Sequence, residues 1–94
     1  MLSALPINLG KLAKEDLDKE ILRAGIIAEL DAISFYEQMA AMTENKKIKA
    51  ILLDIAKEEK THVGEFQALL LEQDKEQQKE MEEGKKEVAE IKSK

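Results

Sequence analysis

The sequence predicts an all-α fold: an antiparallel two-helix hairpin followed by a C-terminal helix, with two such chains pairing into a four-helix bundle. Three observations predict it. Ala, Leu, Lys and Glu dominate, and the single proline stands at position 6, so nothing downstream breaks a helix by withholding a backbone donor. Two long segments repeat apolar side chains at three- and four-residue spacing, the period of a helix. Between them only Thr43, Glu44, Asn45 and Lys46 interrupt the pattern, so the second helix must return along the first.

Each element follows in order. Residues 1–13 are read as an N-terminal arm that docks Leu2, Leu5, Ile7 and Leu9 on a neighbouring surface. The arm lacks the basic start and apolar run of a secretory signal, and no stretch approaches the 18 or so apolar residues of a membrane span. The hairpin is expected over 14–73. Its first helix begins near Lys14, where Glu15 and Asp16 suit the positive end of the helix dipole. Thr43 or Asn45 can cap the second helix, which runs to about Gln73. Asp74 and Gln77 then resemble a capping box opening a third element over 74–94. That element is strongly charged, with only Met81, Val88 and Ile91 as weak anchors, so it is expected to be exposed or docked between subunits, and Gly84 to bend or end it.

A chain of 94 residues forms one small domain and buries only about 60–65 % of its unfolded surface. Two helices alone cannot enclose Leu22, Ile26, Ile27, Leu30 and Ile33 on one side and Ile51, Leu52, Ile55, Val63, Phe66, Leu69 and Leu70 on the other. Each large side chain left in water forfeits about 1.5–3 kcal/mol, which predicts a second hairpin from another copy of the chain. The net charge of −5, without a basic face, argues against nucleic acid and anionic membranes as partners and favours cations. With no cysteine, a metal site must use carboxylate and imidazole ligands.

The one histidine, His62, lies three residues after Glu59 in the stripe Leu52, Ile55, Ala56, Glu59, His62, Val63, Phe66, Leu69, Leu70. Glu59 and His62 are its only polar members. On the first helix the stripe Leu22, Gly25, Ile26, Glu29, Ala32, Ile33, Tyr36, Ala40 likewise carries one carboxylate, Glu29. In an antiparallel hairpin, residues equally far from the turn lie level, which sets Glu29 opposite Glu59 and His62. Unpaired carboxylates facing an apolar interior are costly or become neutral, so a cation is expected between them. A Glu-x-x-His pair plus one Glu is half the ligand set of a di-iron helical bundle; two copies give four glutamates and two histidines, whose charge balances two Fe²⁺ ions. Such a carboxylate-rich site suits iron or manganese and O₂ chemistry better than structural zinc. Tyr36, seven residues after Glu29 on the same face, either hydrogen-bonds a ligand carboxylate near the metal or is a core tyrosine with its hydroxyl at the bundle edge. Glu65 reads as a solvated glutamate before an outer ligand, Glu37, Glu44 and Glu58 as surface charge, and Met39, Met42 and Met81 as packing.

The stretches AELDAISFYEQM and KAILLDIAKEEKTHVGEFQALL resemble the encapsulated ferritin family, a branch of the ferritin-like and rubrerythrin-like proteins, over about residues 20–74. The resemblance implies a half-ferritin hairpin whose dimer forms a di-iron ferroxidase site, five dimers to a ring-shaped decamer, and housing in a cytoplasmic encapsulin nanocompartment that stores oxidised iron. By matching positions it implies Glu29, Glu59 and His62 as iron ligands and Tyr36 as the nearby catalytic tyrosine. Ala28 and Asp31 stand where some members carry a pair of acidic residues guiding iron inward, and Phe35 where those members have tryptophan. The C-terminal VAEIKSK has no recognisable encapsulin-targeting peptide, which leaves fusion to a shell protein or another route of targeting. Two rival functions remain on the residues alone: a peroxide reductase of the rubrerythrin kind, fed by an external electron donor, and a metal-free helical scaffold or interaction module with Glu59 and His62 hydrogen-bonded in the core.

Overall fold

In the computed structural model, which describes residue 10 and residues 13–92 apart from the Glu15 side chain, three helices follow one another: α1 (Lys14–Met42), α2 (Lys46–Gln73) and α3 (Lys75–Glu90). The arm expected over 1–13, with its anchors Leu2, Leu5, Ile7 and Leu9, falls outside the described residues except at Gly10 and Ala13. Among the described residues there is no strand, and no helix is long and apolar enough to cross a membrane.

The helix ends follow from local chemistry. α1 opens at Ala13 without a side-chain cap; the Asp16 N–H bonds to the Ala13 carbonyl at 3.0 Å. At the turn the two candidate caps divide the work. Thr43 closes α1 through its N–H to the Met39 carbonyl, and its Oγ1 accepts from the Asn45 N–H at 3.2 Å. Asn45 is the cap of α2, its Oδ1 accepting from the N–H groups of both Lys47 and Ile48 at 3.0 Å. Two of the four orphan donors at the start of α2 are thereby satisfied.

At the far end one carboxylate serves two elements. Asp74 Oδ1 accepts from the Gln77 N–H at 3.0 Å and caps α3, while Oδ2 accepts from Arg23 Nη2 of α1 at 2.8 Å. Arg23 also donates from Nη1 to Glu20 at 2.7 Å, so the guanidinium fork is shared between its own helix and the α2–α3 corner. These bonds hold the Asp74 carboxyl below the usual aspartate range, chiefly through the Gln77 N–H and then through Arg23, against the opposing effect of desolvation.

Of the two outcomes expected at Gly84, a bend or an end, the end does not occur: α3 runs through it to Glu90. A Cβ at Gly84 would meet nothing within 4 Å, so the residue costs only its poor helix propensity, about 1 kcal/mol, among neighbours that are good helix formers.

The hairpin buries little by itself. Among the described residues the buried apolar side chains are Ile33 and Ala40 of α1 and Ala56 and Leu70 of α2, and none of the largest side chains is fully enclosed. The backbone of α3 approaches only α2, leaving the hairpin rather than folding back along it. The radius of gyration is 16.7 Å, against about 12 Å for a compact domain of this length. The architecture is a hairpin with a divergent third helix, and its exposed apolar residues include Leu30, Ile51 and Leu69, each at least half accessible.

Candidate metal centre

Helical phase brings three polar side chains to one point midway along the hairpin. Glu29 comes from α1, and Glu59 and His62 from successive turns of α2. One ligand atom from each lies within 4.8 Å of the others. His62 Nδ1 stands 3.3 Å from Glu59 Oε2 and 3.6 Å from Glu29 Oε2. All three residues are half-buried, with His62 the most open at 44 % side-chain exposure against 20 % and 19 % for the glutamates. The cluster therefore sits at the seam between the helices and opens along one side.

Its electrostatics are unbalanced within one chain. Among the buried side-chain polar atoms of the described residues, Glu29 Oε2 alone has no hydrogen-bond partner. A carboxylate oxygen removed from water without a donor forgoes about 1–3 kcal/mol or more. Only one ring nitrogen faces the carboxylates, so His62 can either donate an Nδ1 proton to Glu59 or present the Nδ1 lone pair to a cation that replaces that proton. Two carboxylate oxygens and one imidazole nitrogen aimed at a common point form a donor set fit for a divalent first-row metal.

The remaining candidates stand apart from this point. Tyr36 is half-buried two turns beyond Glu29, about 10 Å along the axis, with its ring beside Phe35 at a centroid distance of 5.5 Å. Glu37 pairs with Lys60 at 2.9 Å on the surface, and Glu44, Glu58 and Glu65 are exposed. Ala28 and Asp31 are half-buried on α1. Of the methionines read as packing, Met39 is half-buried, while Met42 and Met81 are exposed within a single chain.

Two features of the hairpin escape the sequence reading. The Arg23–Asp74 tie joins residues at unequal distances from the turn, so the level rule does not pair them. Gly25 has Phe66 so close that a Cβ on the glycine would lie 3.3 Å from three atoms of the ring. Both residues stand in the apolar stripes, but nothing in the spacing distinguishes a glycine under an aromatic ring from a neutral one.

Comparison with known proteins places the sequence and the fold. The EncFtn-like family model matches residues 6–88. The chain is 56 % identical over 94 residues to the ferritin-like-encapsulin shell fusion protein of Pyrococcus furiosus, covering 97 % of this chain but 27 % of that relative, and so spans about a quarter of its length. It also superposes on a crystal structure of the encapsulated ferritin domain from Pyrococcus furiosus with a TM-score of 0.83 and 53 % identity, covering 97 % of this chain and 95 % of that one. The match runs through all three helices and both stretches that carry the cluster, and the chain belongs to the EncFtn-like family of encapsulated ferritins.

Proposed function

We propose that this chain is one half of a ferroxidase: two copies pair so that Glu29, Glu59 and His62 of each meet at one di-iron centre, where Fe²⁺ is oxidised to Fe³⁺ by O₂. The observation that carries this reading is the partnerless buried Glu29 Oε2, 3.6 Å from His62 Nδ1. Desolvated negative charge beside a metal-binding nitrogen calls for a cation, and the open side of the cluster calls for the rest of the ligands. A two-fold axis through that side supplies both, giving the four-glutamate, two-histidine set of ferritin-like bundles. The exposed Ile51 and Leu69 flank the same side by helical phase and would be covered by the same pairing.

Iron supplies the redox chemistry when bound, each Fe²⁺ giving one electron towards O₂. The protein does the rest. Glu29 and Glu59 neutralise the incoming charge. His62 would offer its Nδ1 lone pair to the metal, with the ring proton held on Nε2. The half-buried setting limits water around the carboxylates and strengthens their hold. Tyr36, on the same face of α1, is retained as the tyrosine near the centre rather than as a ligand.

Larger assembly and location belong to the same proposal. A groove of about 370 Å³ between α1, α2 and α3, lined by Ile26, Ile27, Leu70 and Met81, lies towards the α3 end of the hairpin. Two apolar sides allow dimers to join into a ring, for which we take a decamer of five dimers. The shell-fusion relative supports an encapsulin compartment in the cytoplasm as the place where Fe³⁺ accumulates, since an open ring has no interior to hold mineral.

The test is an anaerobic Fe²⁺ titration followed by air, on the wild type and on Glu29→Ala and His62→Ala. The expected result is saturation near one iron per chain, about two per pair, and a ferric absorbance band that both variants lose. Binding that survives in both variants would sink the proposal. Replacing air with H₂O₂ separates the O₂-using ferroxidase from a peroxide reductase, and a protein whose mass and absorbance ignore Fe²⁺ would be a plain scaffold.

A further inference from the structure

We infer that Gly25 and Phe66 are positioning residues that set the separation of α1 and α2 at the metal centre, an inference that rests on Glu29, Glu59 and His62 being metal ligands. Gly25 is four residues before Glu29 and Phe66 four residues after His62, so their contact lies one turn, about 6 Å, from the cluster and level across the hairpin. None of the described glycines has a positive φ, so the backbone gives Gly25 no reason to be glycine, and mid-helix it carries the poorest propensity after proline. The reason is space. An ideal Cβ at Gly25 would lie 3.3 Å from Phe66 Cδ2, Cε1 and Cε2 alike, as expected for a ring laid across bare α1 backbone. Gly64 and Gly84, by contrast, have nothing within 4 Å of such a Cβ.

The magnitude makes the contact matter. A methyl group here must push the ring or the helix by a few tenths of an ångström. Metal–ligand distances tolerate about 0.2 Å. Each helix carries a ligand one turn from the contact, so a shift absorbed by the helices moves Glu29 away from Glu59 and His62. The flat fit of Phe66 on Gly25 therefore acts as a gauge for the ligand spacing.

The test uses Co²⁺ as a spectroscopic probe of the assembled protein, with wild type, Glu29→Ala, Gly25→Ala, Phe66→Leu and the Gly25→Ala/Phe66→Leu pair. Gly25→Ala is expected to keep its helix content, since alanine is the better helix former, yet to weaken Co²⁺ binding about tenfold and alter its visible absorption band. The double variant, with a smaller side chain opposite the new methyl, is expected to recover most of the affinity and the wild-type band. Phe66→Leu alone removes the gauge and should weaken binding several-fold, which keeps the idea open to refutation if Gly25→Ala does not fold. Wild-type affinity and spectrum in Gly25→Ala or in Phe66→Leu, or a double variant no better than Gly25→Ala, would overturn this inference while Glu29→Ala still loses the metal. If Glu29→Ala binds like wild type, the ligand assignment itself fails and the gauge falls with it.

Discussion

At the residue scale the chemistry turns on a carboxylate that has no use within one chain. Glu29 Oε2 is buried and partnerless, and Glu59 faces the same His62 Nδ1. A neutral amide at position 29 keeps the shape, removes one of two facing negative charges and can donate to Glu59. Glu29→Gln is therefore expected to stabilise the metal-free protein, by about 1 kcal/mol, or several degrees in melting temperature for a domain of this size. It should also abolish the stabilisation that a saturating metal gives wild type, about 2.7 kcal/mol at a hundred times the dissociation constant. Melting curves in chelator and in anaerobic Fe²⁺ check both halves; a variant that melts below wild type in chelator contradicts the argument. Glu29, Glu59 and His62 were legible from sequence because inward phase and equal distance from the turn are geometric consequences of an antiparallel hairpin. Gly25 and Phe66 were not, because a glycine acquires meaning only from the distance to the facing helix, which no periodicity encodes.

At the element scale, α1 and α2 were readable to their ends because apolar periodicity and the Asn45 cap are local signals. The direction of α3 was not, and neither was its passage through Gly84. Its charged surface gives no stripe to orient it, and its angle depends on Arg23 reaching Asp74 across 51 residues of chain. That junction has a pH dependence with a definite sign. The folded-state pKa of Asp74 is lowered, first by the Gln77 N–H and then by Arg23, so its contribution is present above the ordinary aspartate value and is lost as pH falls through the lowered one. Acidification below about pH 4 is thus expected to loosen the first turn of α3 before the hairpin melts. Asp74→Asn should keep much of the cap but lose the charge dependence, and Asp74→Ala should lose both. Amide exchange at Gln77 and Gln78 reads this out, and equal protection in wild type and Asp74→Ala between pH 6 and 3 would show that the carboxylate does not hold the corner.

At the scale of the whole molecule, the sequence already implied that two helices could not cover their own apolar faces, and the structure divides those faces between two sides. Ile51, 61 % exposed, is eleven residues before His62, three turns along one face, and borders the open side of the metal cluster. Ile27, 39 % exposed, precedes Glu29 by two residues and so points about 160° away, into the groove that Met81 of α3 helps to line. If the open side joins copies into pairs and the groove joins pairs into a ring, a charge on each side should have separable effects. Ile51→Glu buries two extra carboxylates in each pair, on the pairing surface that flanks the metal cluster, and should leave monomers that no longer hold metal, although every ligand is intact. Ile27→Lys, beside Arg23 in the groove, adds like charge on the other side and should leave dimers that still bind about one iron per chain but do not grow further. Native mass spectrometry with metal counting distinguishes the species. A metal-bound full assembly in Ile51→Glu would remove the open side as the pairing surface, and an unchanged mass for Ile27→Lys would remove the groove from the ring.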